Sequence, residues 1–143
     1  MMRLVVVAAL LIAHASISRA ADVDLGSWNC VPTSDAMFDL VFRAEGLRLN
    51  NISLSEDRSL ATQEVQVLNL SAAAANRSTK PVVLSIELAG FNKENELTFA
   101  LSGRPLFDMV SAGKTEEVKG SIYIEAGRLQ GTTRYCARVV AGI

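Results

Sequence analysis

The sequence predicts a mainly β protein, an antiparallel β-sandwich of about seven strands, and three observations point to it. From Leu47 onward apolar side chains recur at period two in short runs, the signature of strands with one buried face. Clusters of Asn, Ser, Gly and Pro separate those runs. Helical spacing is scarce, and many short strands with turn signals between them pack best as two sheets.

The elements follow in order. Met1, Met2 and Arg3 precede an uninterrupted apolar run, Leu4 to Ala13, and Ser18-Arg19-Ala20 supplies small residues at a cleavage point. That is the pattern of a secretory signal peptide, so residues 1–20 are expected to be removed and 21–143 to form one domain. The run is too short for a transmembrane helix, which needs about 20 apolar residues, and no membrane span is expected after cleavage. Residues 34–45 carry a capping Thr33 or Ser34, a closing Gly46 and Met37, Leu40, Val41 and Ala44 at helical spacing. A short helix is expected there, with the strand alternation of Phe38, Leu40 and Phe42 as the competing reading.

Leu47 and Leu49, then Ile52 and Leu54, alternate with polar residues, and the phase shifts at Asn50-Asn51 as a bulge would shift it. A strand from Glu64 drifts into Ala72 to Ala75, and the polar turn Asn76 to Pro81 follows. Leu84, Ile86 and Leu88 form the next strand, then Leu97, Phe99 and Leu101. Val118, Ile122 and Ile124 form another, and the last runs from Thr132 to about Val140. In that last strand Tyr135, Ala137 and Val139 share one face, and Arg134, Cys136 and Arg138 share the other. The apolar face belongs to the core, so Cys136 is expected to point outward between two arginines.

Cys30 and Cys136 are the only cysteines, and an exported chain meets an oxidising compartment. One disulfide is expected, lying over the sheet surface or along an edge rather than between the sheets.

The single histidine, His14, leaves with the leader. Without imidazole neither a Ser-His-Asp nor a Cys-His nucleophile can be assembled, and His-rich zinc sites are excluded. Loss of Arg3 and Arg19 lowers the basic count from 14 to 12 against 15 acidic residues, a net charge of about −3. Such a surface offers phosphates no electrostatic footprint, so no nucleic acid is expected. The acidic pairs Asp22/Asp24, Asp35/Asp39, Glu56/Asp57, Glu94/Glu96 and Glu116/Glu117 fall mostly in turns and strand ends, where solvation explains them. Ala112-Gly113-Lys114-Thr115 matches only the end of a phosphate-binding loop, since Asp108 stands where its first glycine belongs. No catalytic residue, cofactor or metal ligand is assigned. Three N-x-S triplets begin at Asn51, Asn69 and Asn76. They matter only in a eukaryotic source, where Asn76 in its polar turn is the expected acceptor. The alanine-rich leader and sparse cysteines favour bacterial export.

Residues 65–140 resemble the small extracytoplasmic immunoglobulin-like modules of bacteria of the FxLYD type. The matching residues are Asn76, Ser78, Lys80 and Pro81, then Leu84 to Phe91, then Ala112-Gly113-Lys114-Thr115 leading into Val118 to Ile124. The aromatic-Tyr-Asp signature is replaced by Ala89-Gly90-Phe91-Asn92. The resemblance implies an immunoglobulin-like sandwich used for binding or structure, with no catalytic residue to carry over. The expected function is therefore a periplasmic or secreted, non-catalytic interaction or envelope-assembly module with a protein partner. Arg134 and Arg138 on the outer face, or an edge strand, are its expected contact surface. Two alternatives stand beside it. One is a secreted hydrolase inhibitor presenting Arg104-Pro105-Leu106-Phe107, and the other is a carrier of a small apolar ligand.

Overall fold

Period-two burial runs through every long strand of the structure, a computed structural model that describes residues 22–23, 25–34, 39–58 and 64–142. The expected leader lies outside the described residues. The protein is mainly β, with two sheets packed against each other. The strands are β1 (Asp22–Val23), β2 (Asn29–Pro32), β3 (Val41–Ala44), β4 (Leu47–Arg58) and β5 (Val65–Asn76). They continue with β6 (Val82–Phe91), β7 (Leu97–Gly103), β8 (Met109–Val110), β9 (Thr115–Glu125) and β10 (Arg134–Gly142). The first sheet has the order β1-β3-β4-β5-β9. The second has the order β2-β10-β6-β7, with β8 pairing β6 beyond the end of β7.

Each sheet turns alternate side chains inward. Phe42, Leu49, Ile52, Leu68 and Leu70 enter the core from the first sheet, and Leu84, Ile86, Leu88 and Val139 from the second, all almost fully buried. Each such side chain contributes about 1.5–3 kcal/mol through removal from water. The register shift between Asn50 and Ser53 places the bulge where the sequence phase breaks, and Asn51 adopts φ 54° there.

The helix expected near 34–45 is corrected in its described part. Val41–Ala44 is a strand that pairs with β4, while residues 35–38 lie outside the described residues. The turn that joins the two strands explains why. Glu45 (φ 43°) and Gly46 (φ 86°) are both left-handed, which is the primed hairpin geometry that matches strand twist. Phe42 then faces the core with no exposed surface.

One side of the sandwich closes. Beyond β7, Arg104 exchanges both backbone hydrogen bonds with Lys119 of β9, at 2.9 and 3.0 Å. Gly120 permits this approach, because a Cβ there would overlap the Ser102 carbonyl oxygen. On the other side, Cys30 of β2 lies directly opposite Cys136 of β10, and the two form the disulfide with Cα atoms 3.9 Å apart. Cys136 shares the outward face with Arg134 and Arg138, so the bond lies outside the intersheet core, as the alternation predicts.

Candidate functional site

The outer face of the second sheet divides into two halves. The first surrounds the disulfide. Arg138 of β10 donates from Nε to Glu87 Oε2 of β6 at 2.9 Å, and its Nη2 reaches the same oxygen. Its guanidinium lies 4.8 Å from the centroid of the Trp28 ring, which enters from the segment before β2. Arg134 lies 5.0 Å from the Phe91 ring centroid and donates to Asn95 Oδ1 in the β6–β7 turn. Between them Cys136 is buried against Ala89, its partner on β6. Both arginines thus spend their donors and their flat faces on neighbours within the chain.

The second half is bare. Further along β10 and β6, and on the adjoining β8, the outward positions include Val140, Val83 and Met109, exposed to 44, 56 and 42%. Val83 pairs with Met109 across β6 and β8, and Val140 pairs with Ser85 across β10 and β6. The turn from β7 to β8 closes with Asp108 N–H donating to the Pro105 carbonyl at 3.0 Å. Its tip carries Leu106 and Phe107, exposed to 86 and 77%. Arg104 and Asp108 flank the tip, 3.6 Å apart as an ion pair. The same two residues wall a groove of about 390 Å³ whose floor is Val83, Ser85 and Val140. Large apolar side chains rarely gather on a monomer's surface without a partner.

Polar groups also sit between the sheets at the end where β4 stops and β5 starts. Glu56 and Gln66 turn inward, and the Oε1 atom of each is buried without a hydrogen-bond partner. Tyr135 faces inward from β10. Burial, and secondarily the Glu56 carboxylate, raises its phenol above the ordinary value of 10.0. At the opposite end an apolar gap of about 230 Å³ opens between Leu25, Ala44, Leu47, Val82 and Ala141, with Glu45 at its edge. That volume is below the roughly 300–1,000 Å³ of pockets that enclose a drug-sized ligand.

The structure therefore puts the predicted residues in two places. Arg134 and Arg138 lie in the sealed half with the disulfide, and Arg104 and Phe107 belong to the bare half. Sequence reasoning missed Trp28, Val83, Met109 and Val140. A signal for two of them was present: Val140 falls in phase with Arg138, and Val83 in phase with Ser85 and Glu87, so both are apolar residues at outward positions. The neighbouring acidic pairs Glu56/Asp57 and Glu116/Glu117 cannot converge, because successive residues of a strand point to opposite faces. Asp57 turns outward and accepts from Asn69 Nδ2 at 2.7 Å, while Glu56 turns inward.

The expected glycan acceptor is also corrected. Asn76 has no exposed surface, and its Nδ2 donates to the Lys80 and Val110 carbonyls at 2.7 and 3.0 Å. Its Oδ1 accepts from the backbone N–H and hydroxyl of Ser78. The side chain anchors the β5–β6 turn to β8 and leaves no room for a sugar. Asn51 on the bulge is exposed, and Asn69 is half-buried on its bond to Asp57.

Among the described residues no helix is long and apolar enough to cross a membrane. No protein-family model, curated protein or solved structure matches the chain.

Proposed function

We propose that the protein is an exported, non-catalytic β-sandwich that serves as a protein-interaction or envelope-assembly module in the periplasm or outside the cell. The bare half of the second sheet carries this reading. Five of the eight exposed large apolar side chains among the described residues belong to it: Val83, Leu106, Phe107, Met109 and Val140. Val83 and Val140 line a groove walled by the Arg104–Asp108 ion pair, so apolar surface lies beside a polar rim such as protein interfaces have. The disulfide supports export to an oxidising compartment. The absence of histidine after leader removal supports a task other than nucleophilic catalysis.

The contact surface is accordingly the Val83–Val140–Phe107 region, with Arg134 and Arg138 serving to cover the sheet. The test is affinity capture from the native envelope fraction with the wild-type chain and with Leu106→Asp/Phe107→Asp. One stoichiometric partner retained by the wild type and lost by the variant supports the reading. Equal capture by both, or a partner lost only when Arg134 and Arg138 are replaced, moves the surface elsewhere.

The exposed Leu106-Phe107 tip also favours the inhibitor reading, since a rigid turn can present an anchor to a hydrolase cleft. Dose-dependent inhibition of a captured hydrolase, abolished by the same variant, separates that case from assembly.

A further inference from the structure

We propose that the occupant of the bare half is a second copy of this chain, docked about a two-fold axis so that the Leu106-Phe107 tip of each copy enters the groove of the other. The proposal rests on the contact surface assigned above and names its partner.

The face carries a knob and a receptacle side by side. The knob is the turn tip, whose two side chains are the most exposed large apolar groups described. The receptacle is the groove of about 390 Å³ floored by Val83, Ser85 and Val140, within the range of clefts that bury a small apolar group. Arg104 and Asp108 belong to both, since they are the two ends of the turn and also the wall of the groove. Leu106 and Phe107 do not line their own groove, and the Asp108-to-Pro105 hydrogen bond closes the turn that carries them. A foreign partner would need to match only one of the two features. An isologous contact uses both at once, because under two-fold symmetry each patch meets its own copy.

The charges fit the same partner. A two-fold axis sets the Arg104 of one copy against the Asp108 of the other and repeats the pair in reverse. A patch with one cation and one anion can face itself without repulsion. An anionic bilayer would instead select a local excess of Lys and Arg, and this patch is balanced on a chain of net negative charge.

The exported chain, purified with its disulfide intact, should sediment as a concentration-dependent dimer between about 1 and 100 μM. Leu106→Asp/Phe107→Asp should weaken self-association by about tenfold or more and leave the melting temperature of the dilute protein unchanged. The decisive measurement is a mixing experiment. Arg104→Asp alone and Asp108→Arg alone place like charges across the axis, so each should be monomeric. Mixed in equal amounts, they should associate, because every acidic pair then faces a basic pair. A rearrangement within one chain cannot be rescued by mixing. A monomeric wild type at 100 μM, a dimer unaffected by the tip substitutions, or two charge variants that fail to associate when mixed would each overturn the proposal. If the wild type is monomeric yet envelope capture still depends on Leu106 and Phe107, the contact surface stands and only the identity of its occupant falls. If capture is also insensitive to those residues, both fall.

Discussion

The two halves of the second sheet's outer face are built on the same strands with the same alternation, yet they are finished differently. On β10 the outward positions run Arg134, Cys136, Arg138, Val140. The first three meet a disulfide, two aromatic rings and two hydrogen-bond acceptors from within the chain. Val140 meets none of these. The length of β2 accounts for the boundary, since it pairs with Arg134 to Ala137 only. The segment before Trp28 stays beside β10 through one backbone bond, Gly26 N–H to the Val139 carbonyl at 2.8 Å, and Leu25 packs against the core. The sealed half therefore contributes to stability, and the bare half remains free to contribute to association.

Removing the staple is the largest way to break this contrast. Cys30→Ala/Cys136→Ala opens a loop with a sequence separation of 106 residues. By loop-closure entropy the unfolding free energy should fall by about 4–5 kcal/mol, read from urea denaturation under non-reducing conditions. A loss below about 1 kcal/mol would mean that the Trp28–Arg138 stack holds β2 in place without the bond, or that the reduced unfolded chain keeps structure.

The next effect isolates the cover itself. Arg138→Ala removes the stack on Trp28 and the ion pair with Glu87. These are worth about 0.5–1 kcal/mol for a partly exposed cation over an aromatic ring and up to ~1 kcal/mol for a pair near the surface. A total of about 1–2 kcal/mol is expected by urea denaturation. Glu87→Gln, which removes only the charge of the pair, should cost less. If the two variants cost the same, Trp28 contributes nothing as a lid.

How much of this was legible in the sequence depends on how far apart the interacting residues lie. The outward Cys136, the bulge at Asn50-Asn51 and the absence of an intersheet bridge all follow from alternation within single strands, which is a local signal. Residues 34–45 satisfy helical and strand periods together. Pairing of Phe42 with Leu49 across a primed hairpin decides between them, and that is a tertiary contact. Asn76 sits in a turn-forming stretch, yet it is buried because β8 passes over it from a distant part of the chain and offers the Val110 carbonyl. The Trp28 lid over Arg138 was invisible for the same reason. The bare half was partly legible, as apolar residues at outward phase, but a single Val at such a position is common enough to pass unnoticed. Only the sheet order places Val83, Met109 and Val140 on neighbouring strands.

Tyr135 lies between Arg134 and Cys136 but points inward, so its titration reports on the sealed half from beneath. Burial, then the Glu56 carboxylate, raises its folded-state pKa above the unfolded value of 10.0. The folded state then holds the phenolic proton where the unfolded state has released it. Stability from this group is fully present below pH 10 and is lost as pH rises through the folded-state value. Thermal unfolding followed from pH 9 to 12 should show an alkaline decline that Tyr135→Phe reduces. An unchanged decline in the variant would place Tyr135 in contact with solvent and Glu56 out of its reach.

The smallest expected effect sharpens the comparison most. Val140→Thr lies two residues from Arg138 on the same face of the same strand, and it keeps the β-branched shape that suits a strand. In the bare half it removes no intramolecular contact of weight, so dilute protein should change by no more than about 0.5 kcal/mol. Association alters that outcome in a definite way. If Val140 is covered by a second copy, dimerisation adds stability by mass action, and the substitution should begin to cost as the protein concentration rises. Arg138→Ala should show no such dependence, because its partners Trp28 and Glu87 belong to the same chain. Urea midpoints for the two variants at about 1 and 100 μM therefore separate a residue that holds the fold from one that waits for a partner. A cost for Val140→Thr that is already present at the lower concentration would mean that something within the chain covers it, and the division of the face into two halves would not stand.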